Sequence, residues 1–200
     1  MTISTTSFPW ATRVAYRLAI AVLAMQVCGP AAATPAPSPA ATATQDAPHT
    51  PAREQPPGEE PPGELPTEHL REAARRGNAA AMACLGSRYA KGQGVAQSDT
   101  EAAYWYGRAA QAGSLEGMVL FGWALAFGEG VPQDDAKAAA WFRRAADLDS
   151  TLGMVSLAWM FEKGRGVEQD PAQALVWYQR AAAVGSELGE REVRRLQASP

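Results

Sequence analysis

Tryptophans at 105, 141 and 177 recur at an interval of 36 residues, and this spacing constrains the chain more than any bulk property does. Gly94, Gly130 and Gly166 keep the same interval, as do Val95, Val131 and Val167, and Ala109, Ala145 and Ala181. Laid in register, the units run 78–113, 114–149 and 150–185. A period between roughly 20 and 50 residues marks an array of supersecondary units, each too small to bury its own apolar face. The fold class therefore follows from the repeat before any single element is assigned.

Each unit reads as two helices. In the first segment apolar or small residues recur every four positions: Ala81, Leu85 and Tyr89; Gly117, Phe121 and Leu125; Gly153, Leu157 and Phe161. That stripe is helical. Asn78, Ser114, Ser150 and Ser186 stand where a short polar side chain accepts the first free backbone N–H groups. Gly92, Gly128 and Gly164 stand where a left-handed residue closes the helix. A short turn leads to Ser98, Asp134 and Asp170 as caps of a second helix, and Asp170-Pro171-Ala172-Gln173 has the spacing of a capping box with proline at the first helical position. The second helix carries alanines at 102, 109 and 110 and one aromatic, Tyr106, with the same pattern one and two periods on, so the paired helices are expected to approach closely. It closes at Gly113, Asp149 and Gly185; aspartate in a left-handed conformation carries some strain, which makes the middle joint the weakest.

The strings LGSRYAKGQGVAQSDTEAAYWYGRAAQAG, FGWALAFGEGVPQDDAKAAAWFRRAADLD and LAWMFEKGRGVEQDPAQALVWYQRAAAVG resemble the Sel1-like repeat family, helix-turn-helix relatives of tetratricopeptide repeats. The resemblance covers about residues 67–198. It implies an all-α fold, a right-handed α-solenoid of three 36-residue helix-turn-helix repeats, whose members generally act as adaptors in protein complexes, many bacterial ones being exported. Some cysteine-rich relatives bind or hydrolyse β-lactams; this chain lacks a cysteine pair in each repeat, and that activity is not carried over. Glu68 to Gly77 matches the latter part of a second helix and forms an N-terminal half-repeat. Residues 186–198 match a first helix and form a C-terminal capping helix, with Leu188, Val193 and Leu196 inward and a charged outer face. The expected count is eight helices.

The remainder of the chain differs in composition. Residues 1–33 carry Arg13 and Arg17, an apolar run from Leu18 to Cys28 and a small-residue site at Ala31 to Ala33, the layout of a signal peptide. A bilayer-crossing helix needs about 20 apolar residues, more than this run supplies, so no integral membrane segment is expected after signal cleavage. The alternatives are an anchor through the uncleaved signal or lipid on Cys28, although Val27 is not the small residue that a lipoprotein signal places before its cysteine. Residues 34–66 hold most of the prolines and almost nothing large and apolar, the composition of a disordered tether. The solenoid is assigned to residues 67–200. The formal net charge of −3 divides into +2 for the leader, −5 for the tether through His69 and zero for the remainder, which excludes a strongly basic nucleic-acid binder.

Catalytic chemistry has little material here. The two histidines, His49 and His69, lie outside the repeats, so a Ser-His or Cys-His pair within the array is not available, and neither a metal site nor a cofactor is expected. Cys84 reads as a buried thiol, and Glu116, Glu129, Glu162 and Glu168 read as solvated charges near turns. Arg88, Arg108, Arg143, Arg144 and Arg180 read as helix-end and surface charges. Trp105, Trp141 and Trp177 fall on the flank of the second-helix stripe and read as packing. Trp123 and Trp159 lie opposite the buried stripe of the first helix, beside Val119 and Val155. Two arrangements fit that spacing: the four residues form one exposed apolar strip on a concave face, or the indoles pack between neighbouring first helices. The first arrangement predicts a non-enzymatic, exported adaptor, periplasmic or secreted, that binds a protein or peptide partner through Trp123, Trp159, Val119 and Val155. The alternative is an envelope glycan-binding module in which the same tryptophans stack on sugar rings; a hydrolase ranks third.

Overall fold

The computed structural model describes residues 65–198, which form eight helices and no strand among the described residues. In chain order these are α1 (Thr67–Arg75), α2 (Ala79–Lys91), α3 (Asp99–Gln111), α4 (Leu115–Phe127), α5 (Asp135–Asp147), α6 (Thr151–Lys163), α7 (Pro171–Ala183) and α8 (Glu187–Gln197). The leader, the tether before Leu65 and Cys28 lie outside the described residues.

Helix starts are set by the side chains that the spacing singled out. Asn78, Ser98, Ser114, Asp134, Ser150, Asp170 and Ser186 each accept a hydrogen bond from the backbone N–H three residues on. The expected capping box takes a different form. The Asp170 N–H donates to the Phe161 carbonyl at 3.0 Å, as Asp134 does to Leu125 and Ser98 to Tyr89 at 2.9 Å, so the second donor of each cap ties the two helices of a repeat together. Local capping and the helix-to-helix link therefore use the same residue.

The joint between repeats is a Schellman closure. Ser114 N–H donates to Ala109 O and Gly113 N–H to Ala110 O, and Ser150 and Asp149 repeat the pattern on Ala145 and Ala146. The residue after each left-handed position is at once the last residue of that closure and the cap of the next helix. Among the described residues Asp149 is the non-glycine residue with positive φ, at 60°, so the middle joint carries the strain expected of it.

Packing follows helix by helix along the array. α4 lies against α3 and α5 and also against the neighbouring first helices α2 and α6. Such a helix is apolar on most of its circumference, as its sequence Met118-Val119-Leu120 shows. Small residues permit the approach: a Cβ added at Gly117 would stand 2.6 Å from Ala109 Cβ, and one at Gly153 would stand 2.7 Å from Ala145 Cβ. The largest core cluster joins the second and third repeats around Phe142, Met154, Leu157 and Tyr178. Between the first and second repeats a smaller cluster of Ala102, Tyr106 and Leu120 takes over. Cys84 is fully buried in the first repeat, as expected.

Candidate functional site

Stacking α4 on α6 brings the two indoles singled out by sequence together. Trp123 and Trp159 lie with ring centroids 5.3 Å apart and tilted by 51°. Trp123 also stacks on Phe127 at 5.4 Å, one turn on in the same helix, and leans on the buried Phe142 of α5 at 4.9 Å. Both indoles are half-buried, so the seam is packed between neighbouring first helices and retains an exposed edge. Val155 is likewise half-buried. Val119 is not part of any open strip: it is 2% exposed, because α2 and α6 close over the flank of α4 that a helical wheel drawn on one helix leaves free. The expected strip of four is thus a seam of three, with Val119 beneath it. Trp105, Trp141 and Trp177 pack as expected, Trp177 buried and the other two half-buried against the core clusters.

Arg165, in the turn of the third repeat, completes the seam. Its guanidinium lies 5.3 Å from the Trp159 ring and 5.6 Å from that of Phe127. It donates to both carboxylate oxygens of Asp135, at 2.9 and 2.5 Å, and to the Ala126 carbonyl at 2.5 Å. Asp135 is the first residue of α5 and Ala126 lies in the last turn of α4, so one side chain of the third repeat clamps both helices of the second. A two-pronged, partly buried pair of this kind is among the stronger surface ion pairs.

Two charge assignments change. Arg88 is 1% exposed and donates to the Thr67 hydroxyl at 2.9 Å and the Leu65 carbonyl at 2.5 Å, so it anchors the N-terminal cap helix instead of decorating a helix end. Arg108, Arg143, Arg144 and Arg180 are exposed as expected, each over an aromatic ring. Glu162 is a hub and not a solvated charge: it accepts from Arg195 of α8 at 2.6 Å, from Lys163 at 2.7 Å and from the Tyr178 hydroxyl at 3.3 Å. Burial works against its ionisation, but the hydrogen bonds and charges of Lys163 and Arg195 outweigh it and hold the carboxyl below its ordinary range. Burial, and then the Glu162 charge, push the Tyr178 phenol up. A carboxyl depressed in the fold contributes stability above its unfolded value near 4.3 and loses it as pH falls through the lower, folded value. Glu162→Gln is therefore expected to lower the melting temperature at pH 7 and to reduce its fall between about pH 5 and pH 3. Thermal unfolding across that range checks this, and an unchanged acid limb would remove Glu162 from the role.

Between the first and second repeats a cavity of about 190 Å³ opens at the position equivalent to the Arg165 clamp. Ala102, Ala103, Tyr106, Leu120 and Ala124 form its buried floor. Lys91, Gln97, Asp99 and Glu129 form its rim. Sequence reading missed this site. Its signal was the residue between the two turn glycines, Gln93, Glu129 and Arg165 in successive repeats, a position whose charge changes from one repeat to the next.

Among solved structures, a Sel1 repeat protein from Oxalobacter formigenes is 34% identical, with a TM-score of 0.58 over 64% of this chain and 96% of its own. The protective antigen c5321 of uropathogenic Escherichia coli, described as displaying an SLR fold, is 33% identical with a TM-score of 0.62 over 64% of this chain; the match spans 28% of the antigen. Cysteine-rich protein B of Helicobacter pylori shares the fold at 20% identity and a TM-score of 0.51. The Sel1 repeat profile matches residues 79–114, 116–150 and 151–186. The chain belongs to the Sel1 repeat family. No curated protein matches it. Sel1 arrays are helical solenoids that commonly mediate protein–protein interaction and are generally non-catalytic. In this array the described residues hold no group of three or more potential metal ligands and no helix long and apolar enough to cross a membrane.

Proposed function

We propose that this Sel1 array is an exported, non-enzymatic adaptor that binds a protein or peptide partner along the face formed by α2, α4 and α6. The observation that carries this reading is the half-buried aromatic seam of Trp123, Trp159 and Phe127, a preformed patch of large rings whose ordering is complete before a partner arrives. The neutral net charge of residues 70–200 leaves shape and apolar contact as the main source of affinity. Glycan stacking is the weaker alternative, because Phe127 lies parallel to the Trp123 ring at 6° and the Arg165 guanidinium lies over Trp159, which places protein groups where a sugar ring would stack. Export rests on the leader composition of residues 1–33.

The test is retention of envelope proteins on the immobilised full chain, beside a Trp123→Ala, Trp159→Ala variant whose helicity is first matched by circular dichroism. A defined protein retained by the parent and lost at least tenfold by the variant is the expected result. Equal retention by both sinks the seam as the binding face, and retention of purified cell-wall glycan without protein supports the alternative.

A further inference from the structure

The three repeats allow each junction to be compared with the next, position by position. At the junction of the second and third repeats, the Arg165 side chain lies over the Trp159 and Phe127 rings and is held by Asp135 and the Ala126 carbonyl. Thirty-six residues earlier these positions are Trp123, Lys91, Asp99 and Ala90, of which the last three line the cavity between the first and second repeats. The floor corresponds as well, with Ala102, Ala103 and Tyr106 in the places of Ala138, Ala139 and Phe142. Two differences open the space. Glu129 stands where Arg165 does, and Ala124 stands where the fully buried Met160 does, while Leu120 in place of Ser156 returns only part of the lost volume.

We propose that this cavity is a receptor for one arginine side chain of a partner peptide, held as the chain holds its own Arg165 one repeat on. The incoming guanidinium would donate to the Asp99 carboxylate and the Ala90 carbonyl, with Glu129 supplying a second carboxylate at the mouth. Gln97 occupies that carbonyl now, its amide donating to Ala90 O at 3.1 Å. Its counterpart Gln133 turns instead toward Asp135, at 3.5 Å, where Arg165 has taken the carbonyl, so the exchange required of Gln97 is one that the neighbouring junction displays. Lys91 is the cation on the rim; with Asp99 and Glu129 it leaves the rim at one net negative charge, and its methylene stem stands in for the Phe127 wall. The planar fork of arginine matches an acceptor pair of carboxylate and carbonyl better than the point charge of lysine does.

The inference rests on the adaptor reading and names the chemistry of its partner. It is tested with the full chain and labelled nine-residue peptides of glycine and alanine carrying arginine, lysine, citrulline or glutamate at the centre, read by fluorescence anisotropy. The arginine peptide is expected to bind at least about tenfold more tightly than its neutral isostere citrulline, with lysine between them. A Glu129→Arg variant should place the chain's own guanidinium in the cavity, weaken the arginine peptide about tenfold and raise the melting temperature. The rise should disappear when Asp99→Asn is added. Citrulline or glutamate peptides that bind as well as arginine, no measurable arginine-peptide binding, or binding unaffected by Glu129→Arg would overturn the receptor. If Glu129→Arg still captures the partner that Trp123→Ala, Trp159→Ala loses, the adaptor stands and the receptor falls; if no variant or parent captures any protein, the adaptor reading itself fails.

Discussion

Gly166→Ala is expected to destabilise the array by at least about 3 kcal/mol, from two separable causes. The residue has φ of +65°, which costs an alanine about 1–2 kcal/mol. The larger cause is proximity. A Cβ at this position would lie 2.1 Å from the Asp135 carbonyl oxygen and 2.2 Å from its carbon, atoms of a helix terminus that cannot rotate away. To make room, the turn of the third repeat must lift off the start of α5, and that movement also pulls Arg165 from Asp135. Gly185→Ala separates the causes, because φ there is +88° and a Cβ meets nothing within 4 Å, so it carries the conformational cost alone. Urea titration of both variants measures the difference. A Gly166→Ala loss within about 0.5 kcal/mol of the Gly185→Ala loss would mean that the repeats do not touch there as described.

Phe142→Ala is expected to cost about 3–5 kcal/mol, since the ring is fully buried and its removal leaves a cavity in the core. Its edge is already in contact with α4, where a Cβ at Gly122 would stand 2.6 Å from Cε1, and its face supports Trp123. The loss therefore reaches the seam as well as the core. Near-ultraviolet circular dichroism should lose tryptophan signal in the still-folded variant, and the melting temperature should fall by roughly 10 °C or more. Val176→Ala, at a half-exposed site on α7, is the comparison and should change stability by less than about 0.5 kcal/mol. A Phe142→Ala loss below about 1.5 kcal/mol would show that the middle repeat is looser than its packing implies.

The parts of this fold that were legible in the sequence are those governed by neighbours in the chain. Ser114, Asp134 and Gly128 have their roles because of what lies three or four residues away, and each takes the predicted one. The parts that were not legible depend on residues a full repeat away. Val119 looked open because a helical wheel knows one helix, whereas α4 is walled by four. Arg88 looked like a helix-end charge until Thr67 and Leu65 came to meet it, and Glu162 looked solvated until α8 brought Arg195. Of the four proposed binding residues, spacing alone correctly brought Trp123 and Trp159 to one place and could not say how much of them remained uncovered. The cavity was readable only by comparing one repeat with the next at the same register, where glutamine, glutamate and arginine follow one another.

Because Ser114 and Ser150 each finish one helix and begin the next, a repeat joint has no spare residue, and a 36-residue block cut there carries both of its own couplings. Such a block behaves as a tile. Inserting a further copy of residues 114–149, which carries the Asp135 acceptor that the 150–185 block replaces with Pro171, would lengthen the array without redesigning a joint, and the residue between the two turn glycines of the inserted tile, together with residue 124, would set whether the new seam is plugged from within or left as a vacant socket. Length and the pattern of sockets could then vary independently, which gives evolution or an engineer a way to change what the array recognises without disturbing how it stands.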